Sequence, residues 1–384
     1  MKHIIKVLFF CGALFLLPAA MLVQRPADYS YYENRALAEF PPFNMQQVLD
    51  GTYFPQVETY ISDHFTERTR LIRLNIRKEL ALRNPVVGET VVTEDVLLPY
   101  YGVQLDRQDA EAMAQELDML DKLNRYCGQR GIAFLYVGIP EQGSVFRDRY
   151  PSYLKDSGFR DMSLTDAFGE SLAARGIDFL DMAPYLTADR EQYYSTTDHH
   201  FNLYGAYETY LRIMEYINAH YCAAPVTDDL TITRVDTDFL GSRNRQLYGL
   251  FETDDALYTG TLAEPIPFTR EDNGAPVDAT VYSEADRDVY AYYMGGDVAE
   301  TIIRTNRPAL PDVLVVGDSF TNALETILYT SFDEMRSLDF RYYTAKTIYE
   351  YLEGYQPDVI LYVRDDLSYL VTDGNGDLES HPAQ

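Results

Sequence analysis

The chain has 384 residues, of which 46% are hydrophobic, so it can bury one large core or two smaller ones. Its formal net charge of −28 argues against nucleic-acid binding and against adhesion to anionic lipid. The same charge disfavours an anionic polymer as the substrate, unless a local basic groove overrides the overall electrostatic field. Tyrosine is abundant, with 33 residues, and tryptophan is absent; this composition fits either a carbohydrate cleft or a β-rich core.

The cysteine pattern gives no sign of a metal site. Cys11 lies in an apolar N-terminal run, and Cys127 and Cys222 either form a disulfide or are ordinary core thiols. No Cys/His spacing of the zinc-binding kind occurs in the sequence. We therefore expect no metal and no other cofactor.

The pattern of residues 1–25 predicts a membrane segment. Lys2, His3 and Lys6 give a basic start, and residues 7–23 then carry no charge. This length is short for a spanning helix and long for a signal-peptide core. Because no small-x-small cleavage site follows, we favour an uncleaved signal anchor with its N-terminus inside, the alternative being a cleaved signal peptide. Either way, the remaining chain is expected outside the cytoplasmic membrane.

Residues 26–85 are interpreted as a linker with proline stops followed by a helix from about 55 to 82. Three motifs fall in this stretch: E-N-R-x-L-x-x-F-P at 33–41, G-T-Y-F at 51–54 and D-H-F-x-x-R at 63–68. His64 of the third motif is expected to be structural. The three motifs, in this order, resemble the DHHW proteins, which are similar to the AlgJ/AlgX-type SGNH hydrolase-like O-acetyltransferases that modify bacterial exopolysaccharides.

Residues 86–224 are predicted to be the first part of an SGNH-like domain, and the resemblance implies a parallel sheet flanked by helices. The pattern predicts, in chain order, short strands over 86–99, a helix over 109–130, a buried strand over 132–139, a helix over 163–175, a strand over 177–182 and a helix from Asn202 to about 221. The alternation of helix and strand is typical of βαβ units. Gln142 follows the first buried strand, where the family often has lysine.

Residues 225–300 lose the helical periodicity and are predicted to form a β-rich insertion, with strands over 230–235, 279–282 and 289–292. Residues 301–371 are predicted to be the second part of the domain. There, an apolar strand over 313–316 leads into Gly317, Asp318 and Ser319 and then a helix over 320–329. Further expected elements are strands over 340–343 and 357–363 and a helix over 345–353. Residues 372–384 are expected to be a disordered tail.

The chemistry is predicted to centre on Ser319, which lies at the point where a buried strand turns into a helix. A serine hydroxyl needs a base, and a carboxylate fixes that base's tautomer. The resemblance implies an Asp-x-His arrangement, which gives Asp198 and His200 here. Residues expected at the edge of the site are His199, Phe201, Asn202, Gly317, Asp318, Gln142 and Arg364. A metal ion held by Asp198, His199 and His200 is the alternative for this cluster.

The expected reaction is acyl transfer through an acetyl-serine. With a sugar hydroxyl as acceptor, the protein is a polysaccharide O-acetyltransferase; with water, it is a carbohydrate O-acetylesterase. A third interpretation is a non-catalytic glycan-binding or assembly protein on a degenerate SGNH scaffold. Expected partners are the polysaccharide and, by the resemblance, a membrane-bound O-acyltransferase that donates acetyl groups.

Overall fold

The protein divides into two compact units, which we describe separately. The first comprises Met1–Thr90 and Asn244–Glu252, and the second comprises Val91–Arg243 and Thr253–Gln384. The computed structural model describes residues 2–100, 109–154 and 162–380. A short piece of the predicted β-rich insertion therefore belongs to the first unit.

The described part of the first unit is mostly helical. Its elements are α1 (Lys2–Val23), β1 (Tyr29–Ser30), β2 (Arg35–Ala36), α2 (Met45–Asp50), α3 (Tyr53–Asp63), α4 (Arg68–Ala81) and β3 (Val86–Val87). Strands β1 and β2 pair antiparallel. Among the helices of the described residues, none is both long and apolar enough to cross a bilayer.

The single helix predicted from about 55 to 82 is wrong. Helix α3 ends at Asp63, and α4 begins at Arg68. Between them Glu67 has a φ of 61°, a left-handed conformation that interrupts a right-handed helix. The Asp63 carboxylate instead accepts hydrogen bonds from the Arg35 guanidinium at 2.8 Å and from the Ala38 amide at 2.9 Å.

These bonds join the first and third sequence motifs. The hydrogen bonds from Arg35 to Asp63 hold the pKa of that carboxyl well below its usual range. A second ion pair, between Glu33 and Arg68, closes at 2.6 Å. His64 is buried, with its Nε2 2.9 Å from the Ala38 carbonyl oxygen. The motif residues therefore hold the two helices against the preceding turn.

The second unit carries most of the chain. From the unit boundary onwards, the described elements are β4 (Thr90–Val92), β5 (Leu97–Pro99), α5 (Asp109–Gly128), β6 (Ala133–Ile139), α6 (Gln142–Val145), α7 (Met162–Ala173), β7 (Asp178–Asp181), α8 (Ala183–Leu186), α9 (Arg190–Tyr193), α10 (Leu203–His220), β8 (Thr231–Arg234), α11 (Ser242–Gln246), β9 (Tyr258–Thr261), β10 (Thr269–Asp272), β11 (Ala275–Val277), β12 (Glu300–Arg304), β13 (Val313–Gly317), α12 (Phe320–Leu328), β14 (Glu334–Leu338), α13 (Ile348–Gly354) and β15 (Val359–Asp365). The long predicted helices and the strands β6, β7, β13 and β15 are confirmed, with small shifts at their ends.

A mixed sheet forms the centre of this unit. In the described residues it has eight strands in the order β11-β10-β12-β14-β13-β15-β6-β7. The run from β14 to β7 is parallel, whereas β12, β10 and β11 extend it antiparallel at one side. The predicted parallel sheet is therefore confirmed for the run from β14 to β7, and the other three strands make the sheet mixed.

The register brings several strand ends to one edge of the sheet. Gly317 at the end of β13 pairs with Val363 of β15, and Asp365 pairs with Ile139 of β6. The residues after β13, β15 and β6 therefore share the carboxyl edge, where α/β sheets commonly carry their sites. Beneath it, β13 and β15 are buried along their whole lengths.

The β-rich section is less regular than predicted. Strand β8 pairs with β9, and the β10–β11 hairpin extends the main sheet through β12. The strands expected over 279–282 and 289–292 are wrong. Tyr282 makes an isolated bridge to Tyr293, and Tyr290–Tyr292 is a 3₁₀ turn. Alternating tyrosines mimic a strand pattern, but here their rings pack on one another.

The C-terminal region also departs from the prediction. Residues 340–343 are not a strand, and the strand of this region is β14. It was not predicted, because the polar residues Glu334, Arg336 and Ser337 interrupt its apolar pattern. Residues 372–380 are not a disordered tail. Leu378 is fully buried in the main core, and its carbonyl oxygen accepts the Ile348 amide at 2.9 Å. Residues 381–384 lie outside the described part of the chain.

The two described cysteines are unpaired. Cys127 is buried in the core against the sheet, and burial raises the pKa of its thiol to about 12. Cys222 is partly exposed. The disulfide alternative is therefore wrong, and the core-thiol alternative is correct for Cys127 only.

Candidate active site at the carboxyl edge of the sheet

Ser319 lies in a tight turn between β13 and α12. A Cβ on Gly317 would lie 2.4 Å from the Thr321 methyl group and 2.9 Å from the Val363 carbonyl oxygen, so only glycine fits there. The Asp318 carboxylate caps the helix by accepting the Phe320 amide at 3.0 Å. Because Asp318 supplies the cap, the Ser319 hydroxyl makes no capping bond and can serve another partner.

That partner is His200. Its Nε2 lies 2.8 Å from Ser319 Oγ, and its Nδ1 lies 2.6 Å from Asp198 Oδ1. The other carboxylate oxygen of Asp198 accepts the Ser242 amide at 2.7 Å. The structure therefore brings the three residues predicted to be catalytic into one hydrogen-bonded chain.

The surroundings of Asp198 keep its carboxyl ionised. Burial alone would raise its pKa, but the charge and hydrogen bond of His200, the charge of His199 and the Ser242 amide hold the pKa well below its ordinary value. A carboxylate accepts the Nδ1 proton of His200. Nε2 is then left unprotonated and can accept the Ser319 proton.

Aromatic rings enclose His200. Tyr290 stacks on its imidazole with ring centroids 3.7 Å apart and an angle of 6° between the planes. Phe320 contacts it edge-on at 4.9 Å. The side chain of His200 is only 4% exposed, so rotation away from Ser319 is obstructed. Tyr290 was not predicted as a site residue, because its stretch resembled a strand.

The loop that carries Asp198 is held from two sides. The Ser195 hydroxyl accepts the Asp198 amide at 2.9 Å. Asp255 accepts the Thr197 amide at 2.8 Å and the Thr197 hydroxyl at 2.7 Å. Gln142 donates from Nε2 to the Ser195 carbonyl oxygen at 2.7 Å. The role of Asp255 was not predicted from the sequence, since no local pattern links this residue to a loop sixty residues away.

Two residues expected at the site edge are interior residues. Gln142 is fully buried, and its Oε1 accepts the Arg243 guanidinium at 3.0 Å. Arg364 is 2% exposed and donates to Tyr362 Oη at 2.8 Å and to the Ser368 carbonyl oxygen at 2.6 Å. Their side chains point into the interior, because strand-end position alone does not fix side-chain direction. Both brace the loops around the site.

The remaining predicted residues have separable roles. His199 places Nδ1 2.9 Å from Ser242 Oγ. Phe201 is buried and packs edge-on against Phe320 at 5.5 Å. Asn202, the predicted start of this helix, caps α10 by accepting the Tyr204 amide at 2.9 Å. Burial and the charge of Asp365 raise the pKa of Asp318 to about 6.

The donor atoms of Asp198, His199 and His200 lie within 4.8 Å of one another, a spacing that permits metal ligation. Both ring nitrogens of His200, however, already contact Asp198 and Ser319. A metal ion bound there would have to displace one of these contacts. The donor set therefore suits proton transfer better than metal binding.

The C-terminal segment supports the serine turn. Asn375 donates from Nδ2 to the Gly317 carbonyl oxygen at 2.9 Å and to Asp339 at 3.0 Å. Its Oδ1 accepts the Phe340 amide at 2.7 Å. Asn375 is buried, and it ties the residue two positions before Ser319 to the adjacent strand end. Its position in a Gly-rich tail concealed this role in the sequence.

Comparison with known proteins places this geometry in a family. A model described as the SGNH hydrolase-like domain of acetyltransferase AlgX matches residues 97–333, and a model for DHHW proteins matches residues 33–104. A search of curated proteins finds no significant match.

Solved structures share the fold. Bacillus cereus PatB1 is 22% identical with a TM-score of 0.62, over 73% of this chain and 96% of that one. A PatB1 structure with a sulfonyl adduct is 20% identical with a TM-score of 0.59, over 73% and 94% of the two chains. A DHHW family protein from Eubacterium siraeum is 16% identical with a TM-score of 0.57, over 75% and 94%.

The AlgX-type model spans more than half of the chain and includes Asp198, His200 and Ser319. The DHHW model covers the segment with the Arg35–Asp63 contact. The chain belongs to the family of AlgX-type SGNH hydrolase-like acetyltransferases.

Proposed function

We propose that this protein O-acetylates a polysaccharide through an acetyl-Ser319 intermediate. The observation that carries the proposal is the hydrogen-bonded chain from Asp198 through His200 to Ser319 Oγ. A serine positioned by a glycine turn, a base at hydrogen-bond distance and a buried carboxylate behind that base are the groups that acyl transfer requires.

In the first half-reaction, His200 Nε2 takes the proton of Ser319 as Oγ attacks the carbonyl carbon of an acetyl donor. The tetrahedral intermediate collapses, and the bond to the donor's leaving group breaks. His200 returns the proton to that leaving group, and acetyl-Ser319 remains. The charge of Asp198 stabilises the imidazolium formed between these two proton transfers.

The oxyanion needs a donor close to Ser319. Within the described residues, the Ser319 amide N–H donates to no other group, and it lies at the start of α12, where the helix dipole favours negative charge. We assign this amide as one oxyanion donor. The carbonyl oxygen of Ser319 accepts the Asn322 amide at 3.2 Å, which fixes the peptide that presents the turn.

In the second half-reaction, His200 deprotonates a sugar hydroxyl, whose oxygen attacks the acetyl carbonyl. The ester transfers to the glycan and Ser319 regains its proton. Water in place of the hydroxyl gives an O-acetylesterase with the same residues. Membership of an acetyltransferase family favours the sugar hydroxyl.

We place the reaction outside the cytoplasmic membrane. Lys2 and Lys6 precede an uncharged stretch over residues 7–23, a pattern typical of an exported or anchored chain. The acetyl donor is proposed to come from a membrane-bound O-acyltransferase. This assignment and the location rest on the sequence pattern and the family.

The test mixes the purified full chain with an acetyl ester and glycan acceptors. Mass spectrometry should detect acetyl-Ser319, and acetylated glycan should accumulate faster than free acetate. Ser319→Ala should abolish both the adduct and the product, and Ser152→Ala, an exposed serine of the same unit, should change neither. A sulfonyl fluoride should label wild type at Ser319 and leave Ser319→Ala unlabelled.

The outcomes separate the alternatives. Free acetate formed at an unchanged rate with and without glycan would identify an esterase. Turnover that persists in Ser319→Ala would show that Ser319 is not the nucleophile. Glycan binding without any acyl-enzyme in wild type would support a non-catalytic binding protein.

A further inference from the structure

A basic cavity lies in the first unit, whereas the residues of the proposed chemistry belong to the second. It has a volume of about 780 Å³ and is bounded by the end of α1, the turn around β1 and the helix α4. Its cationic lining consists of Arg25, Arg68, Arg70, Arg73 and Arg77. Only Asp63 and Glu67 oppose them among the described lining residues. This concentration of arginine is unusual in a chain with a net charge of −28.

Several of these guanidinium groups lack an anionic partner. Asp63 is committed to Arg35, and Arg68 is paired with Glu33 outside the lining. Arg73 donates to two neutral oxygens, Tyr32 Oη and the Tyr248 carbonyl, each at 3.0 Å.

The case is clearest for Arg25 and Arg77. Within the part of the chain that the structure describes, neither side chain makes a hydrogen bond or an ion pair, and both residues are exposed. The cavity therefore presents uncompensated positive charge that a ligand can neutralise.

The chemistry of the lining indicates a phosphate group. Guanidinium groups bind phosphate oxygens through paired N–H donors, and several converging arginines suit a group with more than one free oxygen. The negative charge elsewhere does not cancel this field, since the Debye length is about 8 Å at physiological ionic strength. Tyr29 and Tyr31 add partly exposed rings to the wall.

The surroundings indicate that the phosphate belongs to a lipid. Helix α1 ends at Val23, immediately before Gln24 and Arg25 of the lining. Exposed apolar side chains of α1 are Ile4, Ile5, Val7, Phe10, Phe15, Leu16 and Val23. Leu74 of α4 also lines the cavity and is 53% exposed. Arginines beside exposed apolar side chains are the combination that binds a bilayer surface.

We propose that this cavity binds the phosphate headgroup of an anionic phospholipid at the membrane surface. Arg25 and Arg77 contact the phosphate oxygens, Arg73 supplies the third unpaired charge, and Leu74 faces the acyl-chain side. The site is independent of the reaction at Ser319, so its failure would leave the acetyltransferase assignment standing.

The test uses the full chain and vesicles of two compositions, phosphatidylcholine alone and phosphatidylcholine with phosphatidylglycerol. Because α1 can partition into either, the measured quantity is the ratio of the two affinities by co-sedimentation. Wild type should prefer phosphatidylglycerol vesicles, and the preference should shrink as salt rises. An arginine near an anionic surface contributes roughly fivefold, so the Arg25→Gln/Arg77→Gln double variant should lose roughly 30-fold of the preference.

The matched control is Arg125→Gln/Arg175→Gln, which removes the same charge from exposed positions in the second unit. It should retain the wild-type preference. Equal affinity of wild type for both vesicles, or an unchanged preference in the cavity variant, would overturn the proposal. If inorganic phosphate binds wild type through Arg25 and Arg77 while the vesicles are not distinguished, the ligand is a soluble phosphate compound and the lipid assignment is wrong.

Discussion

His200 Nε2 lies 2.8 Å from Ser319 Oγ, although 119 positions separate the two residues in the chain. Each belongs to a turn at the start of a helix, His200 before α10 and Ser319 before α12. These helices pack against each other, and Tyr210 of α10 bonds to Ser331 beyond α12 at 2.7 Å. The distance between base and nucleophile is thus set by helix packing within one rigid core.

Asp198→Asn should reduce the turnover number about 10⁴-fold with little loss of stability. The amide keeps the shape of the side chain, but it cannot stabilise the imidazolium, and it favours the tautomer that protonates Nε2. The measurement is kcat for acetyl transfer together with thermal unfolding. Asp254→Asn, at an exposed carboxylate in the same unit, is the control and should retain wild-type turnover. A normal kcat in Asp198→Asn would contradict the assigned role.

Tyr290→Ala should lower kcat on the order of 10-fold to 100-fold, because the imidazole loses the ring stacked on it at 3.7 Å and can rotate. Tyr290→Phe retains the ring and should stay close to wild type. Comparing kcat in the two variants separates ring stacking from any effect of the hydroxyl. Equal losses in both would show that the hydroxyl, and not the stacking, matters.

Asn375→Ala should destabilise the protein by about 2 kcal/mol, since the buried Phe340 amide and the Gly317 carbonyl both lose a partner. As a positioning residue acting through Gly317, Asn375 should affect kcat more than KM. The measurements are urea unfolding and steady-state kinetics well below the unfolding temperature.

Asn124→Ala is the matched control, because it removes one asparagine bond to the Gly176 carbonyl on the exposed side of the same unit. It should leave kcat unchanged. A variant of Asn375 that loses stability but keeps full kcat would restrict this residue to a structural role.

Glu325→Gln should remove a pH-dependent part of the stability. Burial raises the pKa of Glu325 from 4.5 to about 7, against hydrogen bonds from Ser337 and Thr321. The folded state therefore holds a proton that the unfolded state has released, and stability falls as pH rises from about 4.5 to 7. Above about pH 7, the ionised Glu325 lowers the free energy of unfolding by the full amount, about 3 kcal/mol.

The check is the free energy of unfolding at about pH 5 and about pH 8. Glutamine is neutral and can still accept the hydrogen bonds of both hydroxyls. The free energy of unfolding of the variant should therefore equal that of wild type at the lower pH and exceed it at the higher pH. Glu353→Gln, at an exposed site, should not change the difference between the two pH values. A pH dependence identical in wild type and Glu325→Gln would contradict the prediction.

Much of the second unit was predictable because its signals are local. An apolar run over 313–316 before Gly317 specifies a buried strand and a turn, and Asn202 before a periodic stretch specifies a helix start. Strand β14 was not predictable, since it contains the charged residues Glu334 and Arg336. These two side chains pair with each other, and Glu334 also pairs with Arg304 of the neighbouring strand β12. The stretch at 372–380 looked disordered by composition, but its few apolar and amide groups fill specific places in the core.

Local sequence patterns identify which residues can do the chemistry. The strand-turn-serine of Ser319, the Asp-x-His of Asp198 and His200, and their order in the chain are local patterns with a definite chemical meaning. Which side chains meet depends on the three-dimensional fold: Tyr290 stacks on His200, Asp255 binds the loop of Asp198, Asn375 binds Gly317, and several arginines line one cavity. The physical reason is that periodicity fixes local structure, whereas contacts across a hundred residues depend on strand order and helix packing, which no local pattern records.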